Sequence, residues 1–331
     1  MGMRVSRRAF VGGLGVVAAG AALRPVGAFA AWGPMAGADL EARIYPPMDL
    51  TYFERGIAAG AGEIRWGYAS ITWGGNDRAA IEDIAALGFR GIQLRANVIE
   101  EFRSAGELRE LLGKHELKMV ALSSGGVRID PAVEAEEIAK HTAHAKFVQE
   151  VGGLYLQVTD EGPQGRAVGA ADYRRLGRLI TEIGKRTADL GVSLGYHNHM
   201  GSLGERPEAV DQIMDAADAR YAKLELDVAH YFQGGGDPAK AIEKYGDRML
   251  FLHIKDVEAL PEEKDPKRAY RFVELGRGKV DLPGVLEALH SVKFRGWAIV
   301  ELDAVPDKAR TPKECGAISK KYLEEKLGVK V

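Results

Sequence analysis

Four side chains able to grip a divalent cation stand near the ends of four successive β-rich runs. His197 closes the run from Val192, Asp227 closes the run from Lys223, His253 ends Leu250-Phe251-Leu252-His253, and Glu301 closes the run from Trp297. If these runs are parallel strands of a closed ring, their C-terminal ends open into one mouth where two imidazoles and two carboxylates converge. Such a set suits Mn, Co, Fe or Zn and, less well, Mg.

The neighbours of the quartet extend the chemistry. In Tyr196-His197-Asn198-His199 the two imidazoles lie two residues apart on one side of a strand end, one placed as ligand and His199 as substrate contact. Glu225 and Asp227 share a strand face, and His230 follows in the loop. The plainer role for Asp227 is the N-cap of the turn that follows. Lys255, two residues beyond His253, presents an ammonium beside an imidazole expected to be neutral, and can bind a substrate oxygen or polarise a carbonyl. Asp303, two beyond Glu301, reads as a solvent-facing loop carboxylate. Gln157 is a donor into the lumen and Glu161 a further carboxylate at the turn, both for substrate. The loop Glu274-Leu275-Gly276-Arg277-Gly278-Lys279-Val280-Asp281 carries Arg277 at its tip, suited to a diol, carboxylate or phosphate, while Asp281 before Leu282-Pro283 reads as a helix N-cap.

To position these groups the chain must supply strands at regular intervals. Eight runs qualify: Ile64 to Thr72, Gly91 to Arg95, Met119 to Ser123, Leu154 to Thr159, Val192 to His197, Lys223 to Asp227, Met249 to Ile254 and Trp297 to Glu301. Between them lie segments of helical period, such as Ala80-Ile81-Ile84-Ala85-Leu87 and Leu176-Leu179-Ile180-Ile183, with Gly88 and Gly191 where left-handed caps are expected. Eight alternating units predict an α/β fold of the (β/α)8 TIM-barrel type. A doubly wound open sheet would gather ligands at one switch point instead, and no Gly-x-Gly-x-x-Gly follows the first strand.

The 331 residues are 46% hydrophobic and 28% charged, enough for one large barrel, and a formal charge of -2 with no basic stripe argues against nucleic acid as partner. Ser6-Arg7-Arg8-Ala9-Phe10-Val11, the apolar run Gly12 to Ala22 and the small-x-small triplet Ala28-Phe29-Ala30 look like a twin-arginine export signal over residues 1–32, followed by a connector over 33–62 and the barrel over 63–331. The apolar run is too short for a stable membrane span. The expected location is therefore the periplasm, reached by a route that exports folded cargo. The single Cys315 forms no internal disulfide. A homo-oligomer is compatible with all of this.

Taken together, Gly195-Tyr196-His197-Asn198-His199-Met200-Gly201, Asp227 and His230 followed by Gly235-Gly236-Asp237-Pro238, His253-Ile254-Lys255-Asp256, the Glu274 to Asp281 loop and Gly296-Trp297-Ala298-Ile299-Val300-Glu301-Leu302-Asp303 resemble the xylose isomerase-like TIM-barrel superfamily of sugar isomerases and epimerases. Within it they look most like inosose dehydratases. The resemblance, running from Ile64 to Leu327, implies a metal set of Glu, Asp, His and Glu, which falls here on His197, Asp227, His253 and Glu301. The first carboxylate is thus a histidine in this chain, which departs from the two-glutamate proton transfer of the epimerases. Export is a second departure, since inosose dehydratases are largely cytoplasmic. The expected function is a metal-dependent sugar or polyol isomerase, epimerase or dehydratase acting through an enediolate on a keto-inositol or keto-sugar. Glu301 is the expected base, and His199, His230 or Lys255 the proton donor. Two rival classes are an endonuclease IV-like phosphodiesterase, for which eight histidines are thinly spread, and an exported, non-catalytic carbohydrate binder.

Overall fold

A computed structural model describes residues 63–163, 165–265 and 269–331. The export segment over 1–32 and the connector over 33–62 lie outside the described residues. Eight parallel strands close into a barrel: β1 (Ile64–Ala69), β2 (Gly91–Arg95), β3 (Lys118–Arg128), β4 (Tyr155–Glu161), β5 (Ser193–His197), β6 (Ala222–Asp227), β7 (Met249–Ile254) and, after a two-stranded antiparallel hairpin of β8 (Asp256–Ala259) and β9 (Tyr270–Val273), β10 (Gly296–Val300). Neighbours run in chain order around the ring, and β1 closes on β10 with Ile64 opposite Gly296 and Tyr68 opposite Val300.

All eight expected barrel strands are present. The first ends at Ala69, three residues early, because Ser70–Trp73 winds into a short 3-10 helix whose Thr72 hydroxyl donates to the Leu302 carbonyl at 2.6 Å. The third runs on to Arg128 through a register shift between Ser123 and Gly126. Gly88 and Gly191 take positive φ, as expected of residues just past helix ends. Among the described residues no helix is long and apolar enough to cross a membrane.

Strand alternation builds the site in layers. Residues two apart share a face, so Trp297, Ile299 and Glu301 stack along one side, as do Phe251, His253 and Lys255 where the chain runs on past β7. The lower members belong to a compact apolar cluster of Ala69, Val120, Ala121, Phe251, Trp297 and Ile299, with Tyr155 stacked on Phe251 at 5.2 Å between centroids. The upper members are polar and meet at the mouth. A plug of hydrocarbon thus forms the floor on which the charged groups stand, and it keeps water from reaching them from below.

The plug leaves Gly91 no space for a side chain: a Cβ there would fall 2.4 Å from the Trp297 ring and 2.8 Å from a Val120 methyl. Gly91→Ala is therefore expected to cost about 2 kcal/mol by overpacking. A lower urea midpoint at constant m-value would show it, and an unchanged midpoint would mean that the plug is not filled as described.

Candidate active site

His253 stands at the centre. Its Nδ1 lies 3.5 Å from Asp227 Oδ2 and 3.3 Å from Glu301 Oε1, while Nε2 meets Gln93 Oε1 at 2.8 Å and Glu225 Oε1 at 2.7 Å. The His197 ring lies 4.8 Å away between centroids, with its Nδ1 3.7 Å from the same Glu225 oxygen. All five residues, His197, Glu225, Asp227, His253 and Glu301, are at least nine-tenths buried. Burial pushes the Glu225 carboxyl up to about 7 against the opposing pull of His253. Burial would depress His253, but Glu225 and Glu301 outweigh it and hold the ring well above its usual range. The surrounding carboxylates favour positive charge at this point, whether it sits on the ring or on a cation held at Nδ1.

Asp227 divides its two oxygens. Oδ1 accepts from the backbone N–H groups of Ala229 and His230 at 2.9 and 2.8 Å and so caps the helix Val228–Gln233. Oδ2 is buried without a hydrogen-bond partner and faces the cluster, as does His253 Nδ1. The cap and the ligand role read from the sequence are both available to one side chain.

Lys255 is wholly buried where β7 gives way to β8. Its ammonium lies 2.5 Å from Asp303 Oδ1, 3.0 Å from Glu301 Oε1 and 3.7 Å from Asp227 Oδ2, with the Phe272 ring 4.0 Å away. Burial alone would lower its pKa, and Asp303, Glu301 and Asp227 together hold it above the usual lysine range. Asp303 is accordingly not the solvent carboxylate the sequence suggested. The loop after β10 turns it back over the mouth because an ammonium buried under Phe272 needs a nearby acceptor.

The backbone of Met200 meets two imidazoles, one at its carbonyl and one at its N–H. A carbonyl can only accept, so His199 Nδ1, 2.6 Å from Met200 O, must carry the proton and leave a lone pair on Nε2. His230 faces donors at both ring nitrogens, Met200 N at 3.2 Å from Nδ1 and Lys255 Nζ at 3.3 Å from Nε2, and a neutral ring can accept at only one of them. The two rings lie 4.0 Å apart. His199 lines the central cavity, whereas His230 is buried behind it between His199 and Phe272, its Nε2 3.3 Å from Lys255 Nζ.

That cavity, of about 230 Å³, is also lined by Gln93, Arg95, Ser123, Gln157, Thr159, His197, His253, Glu301 and Asp303. Gln157 thus falls where the sequence placed it. Glu161 does not: it stands at the exposed tip of β4 and lines a separate cavity. Arg277 is buried beside Glu274, Nε to Oε2 3.9 Å, and lines neither cavity. Its glycine loop instead wraps a carboxylate of its own chain, as Gly276, Gly278 and Val280 give their N–H groups to Asp256 at 3.0, 2.9 and 3.1 Å. A Cβ at Gly278 would lie 2.2 Å from Asp256 Oδ1, so only glycine permits that approach.

Gln93, Arg95 and Glu225 were not assigned roles from sequence. Period-2 alternation does put Gln93 and Arg95 on one face at the end of β2, and the Arg95 side chain is exposed at the mouth with no hydrogen bond or ion pair among the described residues. Among the described residues, three sets of ligand atoms are close enough to hold an ion: Asp227, His253 and Glu301; His197, Glu225 and His253; and His197, His199 and His230. The expected quartet is therefore split, with His197 joining His253 from the side of Glu225.

The family profile described as Xylose isomerase-like TIM barrel matches residues 81–321, and the chain belongs to that family. It is 25% identical over 301 residues to an inosose dehydratase of Bacillus velezensis, covering 81% of this chain and 98% of the relative. It is 26% identical over 270 residues to the rhizopine catabolism protein MocC of Rhizobium meliloti, covering 72% and 81%. Among solved structures, the zinc-bound IOLI protein superposes with a TM-score of 0.68 at 20% identity, over 80% of this chain and 98% of that one.

The Lys255 cluster gives a direct test. Lys255→Met removes the ammonium shared by three carboxylates and is expected to destabilise the protein by about 3–5 kcal/mol in chemical denaturation. A loss below about 1 kcal/mol would mean that the carboxylates are not desolvated around it.

Proposed function

We propose that this chain is a metal-dependent enzyme acting next to the carbonyl of a keto-inositol or keto-sugar, as an isomerase, an epimerase or a dehydratase. The observation that carries the proposal is the convergence of Asp227 Oδ2, His253 Nδ1 and Glu301 Oε1, the first two buried without hydrogen-bond partners, in a place the surrounding charges reserve for a cation. Asp227, His253 and Glu301 would hold the metal, with His197 beside them, and Gln93 and Glu225 would orient the His253 ring from behind. A divalent cation there polarises a carbonyl and acidifies the adjacent C–H. Relatives named inosose dehydratase support dehydration, and the bound zinc of the IOLI neighbour supports a metal of that kind.

His199 is the base in this reading. Glu301 Oε1 is already shared between Lys255 and His253, whereas His199 presents an unengaged Nε2 lone pair in the cavity wall. The proton leaving carbon rests on Nε2. Passed on to a departing hydroxide it releases water, and returned to the neighbouring carbon, with the hydroxyl proton moving between the two substrate oxygens, it gives the isomer; either way the ring ends neutral. Gln157, whose Oε1 has no partner, accepts from a substrate hydroxyl. Lys255 holds Glu301 and Asp303 in position from below the cavity. We also propose export to the periplasm on the strength of Ser6-Arg7-Arg8 and the run after it, which a fractionation of cells would test.

Chelation should abolish turnover in a screen of keto-inositols and 3-keto-sugars, and one of Mn, Co, Fe, Zn or Mg should restore it. His199→Gln is expected to lower kcat by roughly 10²- to 10⁴-fold and to stop exchange of the α-proton with solvent, while leaving metal content unchanged. Full activity after stripping would overturn the metal assignment, and wild-type exchange in His199→Gln would overturn the base.

A further inference from the structure

Beside the central cavity lies a larger one, of about 450 Å³, that the reaction proposed above does not use. It is lined by Arg128 at the end of β3 and Ile129, Asp130, Pro131 and Val133 after it, and by Glu161 at the end of β4 and Pro163, Arg166 and Arg175 beyond it. Both cavities rest on the same pair of strands. Gly125 and Thr159 line the central one, Arg128 and Glu161 the outer one, and the register pairs Gly126 with Thr159 and Arg128 with Glu161. Two residues along an extended strand span roughly 7 Å, so the outer cavity continues the mouth along the β3–β4 edge.

The polar groups of this cavity select what it can hold. Each guanidinium already has a carboxylate partner: Arg128 binds Glu136 and Glu137, Arg166 binds Asp172, and Arg175 binds Glu134. Their charges are compensated, and what remains for a ligand is N–H donors rather than net positive potential. Glu161 adds an exposed carboxylate whose side chain makes no hydrogen bond or ion pair among the described residues, lying across Gly126, where a Cβ would meet its Cγ at 2.6 Å. An anionic ligand would face that uncompensated negative charge. A neutral polyhydroxyl ligand would not: the carboxylate accepts from vicinal hydroxyls, the guanidiniums donate, and Ile129, Pro131, Val133 and Pro163 offer an apolar surface to the C–H face of a ring.

We propose that the outer cavity is a subsite for a second, neutral saccharide ring, so that the substrate is a keto-glycoside with its keto ring in the central cavity; this rests on the function proposed above for that cavity. The central volume of about 230 Å³ is smaller than the roughly 300 Å³ at which pockets for drug-sized ligands begin, and it accommodates one small ring. The linkage between rings would cross the ledge at Gly125 and Thr159.

Two measurements separate this site from the reaction. Calorimetry on the whole protein should show cellobiose binding roughly tenfold more tightly than glucose, with the difference lost in Glu161→Ala and in Val133→Trp, which fills the cavity. Turnover by the metal-loaded enzyme should favour a 3-keto-disaccharide over the 3-keto-monosaccharide by a similar factor in kcat/KM, and Val133→Trp should bring the two to parity by lowering only the former. Equal affinities for cellobiose and glucose, or tighter binding of a sugar phosphate than of the neutral disaccharide, would overturn the subsite. If neither keto-sugar turns over while the disaccharide preference and its loss in both variants persist, the reaction fails and the subsite stands.

Discussion

The charged heart of this protein depends on placing a fully buried ammonium among three carboxylates. Lys255 stands within 4 Å of Asp227, Glu301 and Asp303. Without it, the acids that face His253 would repel one another across a low-dielectric gap, and the strand ends that carry them would be pushed apart. The hydrocarbon plug below and Phe272 above maintain that low dielectric. The aromatic hairpin therefore does electrostatic as well as steric duty, since the same ring that covers Lys255 also packs against His230 at 4.8 Å.

The barrel itself was legible because its signals are local. A run of β-branched and aromatic residues, a helix of period 3.6 and a glycine after it recur, and each is satisfied by neighbours in sequence. Met249–Ile254 and Gly91–Arg95 match their expected bounds, and Asp281 caps its helix through Gly284 as its position before Leu282-Pro283 implied. The hairpin of β8 and β9 was not legible. Each strand is four residues long, too short for alternation to stand out, and Asp256 to Ala259 follow β7 with only Lys255 between.

The site was legible where strand parity decides it and obscure where partners come from far along the chain. His197, Asp227, His253 and Glu301 follow from position at strand ends. Arg277 misled because a glycine-rich loop ending in a helix cap resembles a ligand cradle, while the group it encloses is Asp256, twenty residues earlier than Gly276. Asp303 misled for the complementary reason: an acid beyond a strand end reads as solvated until the fold delivers a cation to it. His199 and His230 could be named from sequence, but that His199 Nδ1 is the protonated nitrogen follows only from its hydrogen bond to the Met200 carbonyl.

The divided carboxylate of Asp227 has a bearing on how this scaffold can change over evolutionary time. One oxygen begins a helix and the other looks into the mouth, so a single position answers to two selective demands at once. Asparagine would keep the helix start yet turn an amide toward the other acids. Glutamate would reach further into the mouth while withdrawing from the turn. Neither ordinary replacement serves both ends, so diversification is expected to pass around this residue and to fall on the rim loops that meet the ligand's outer parts.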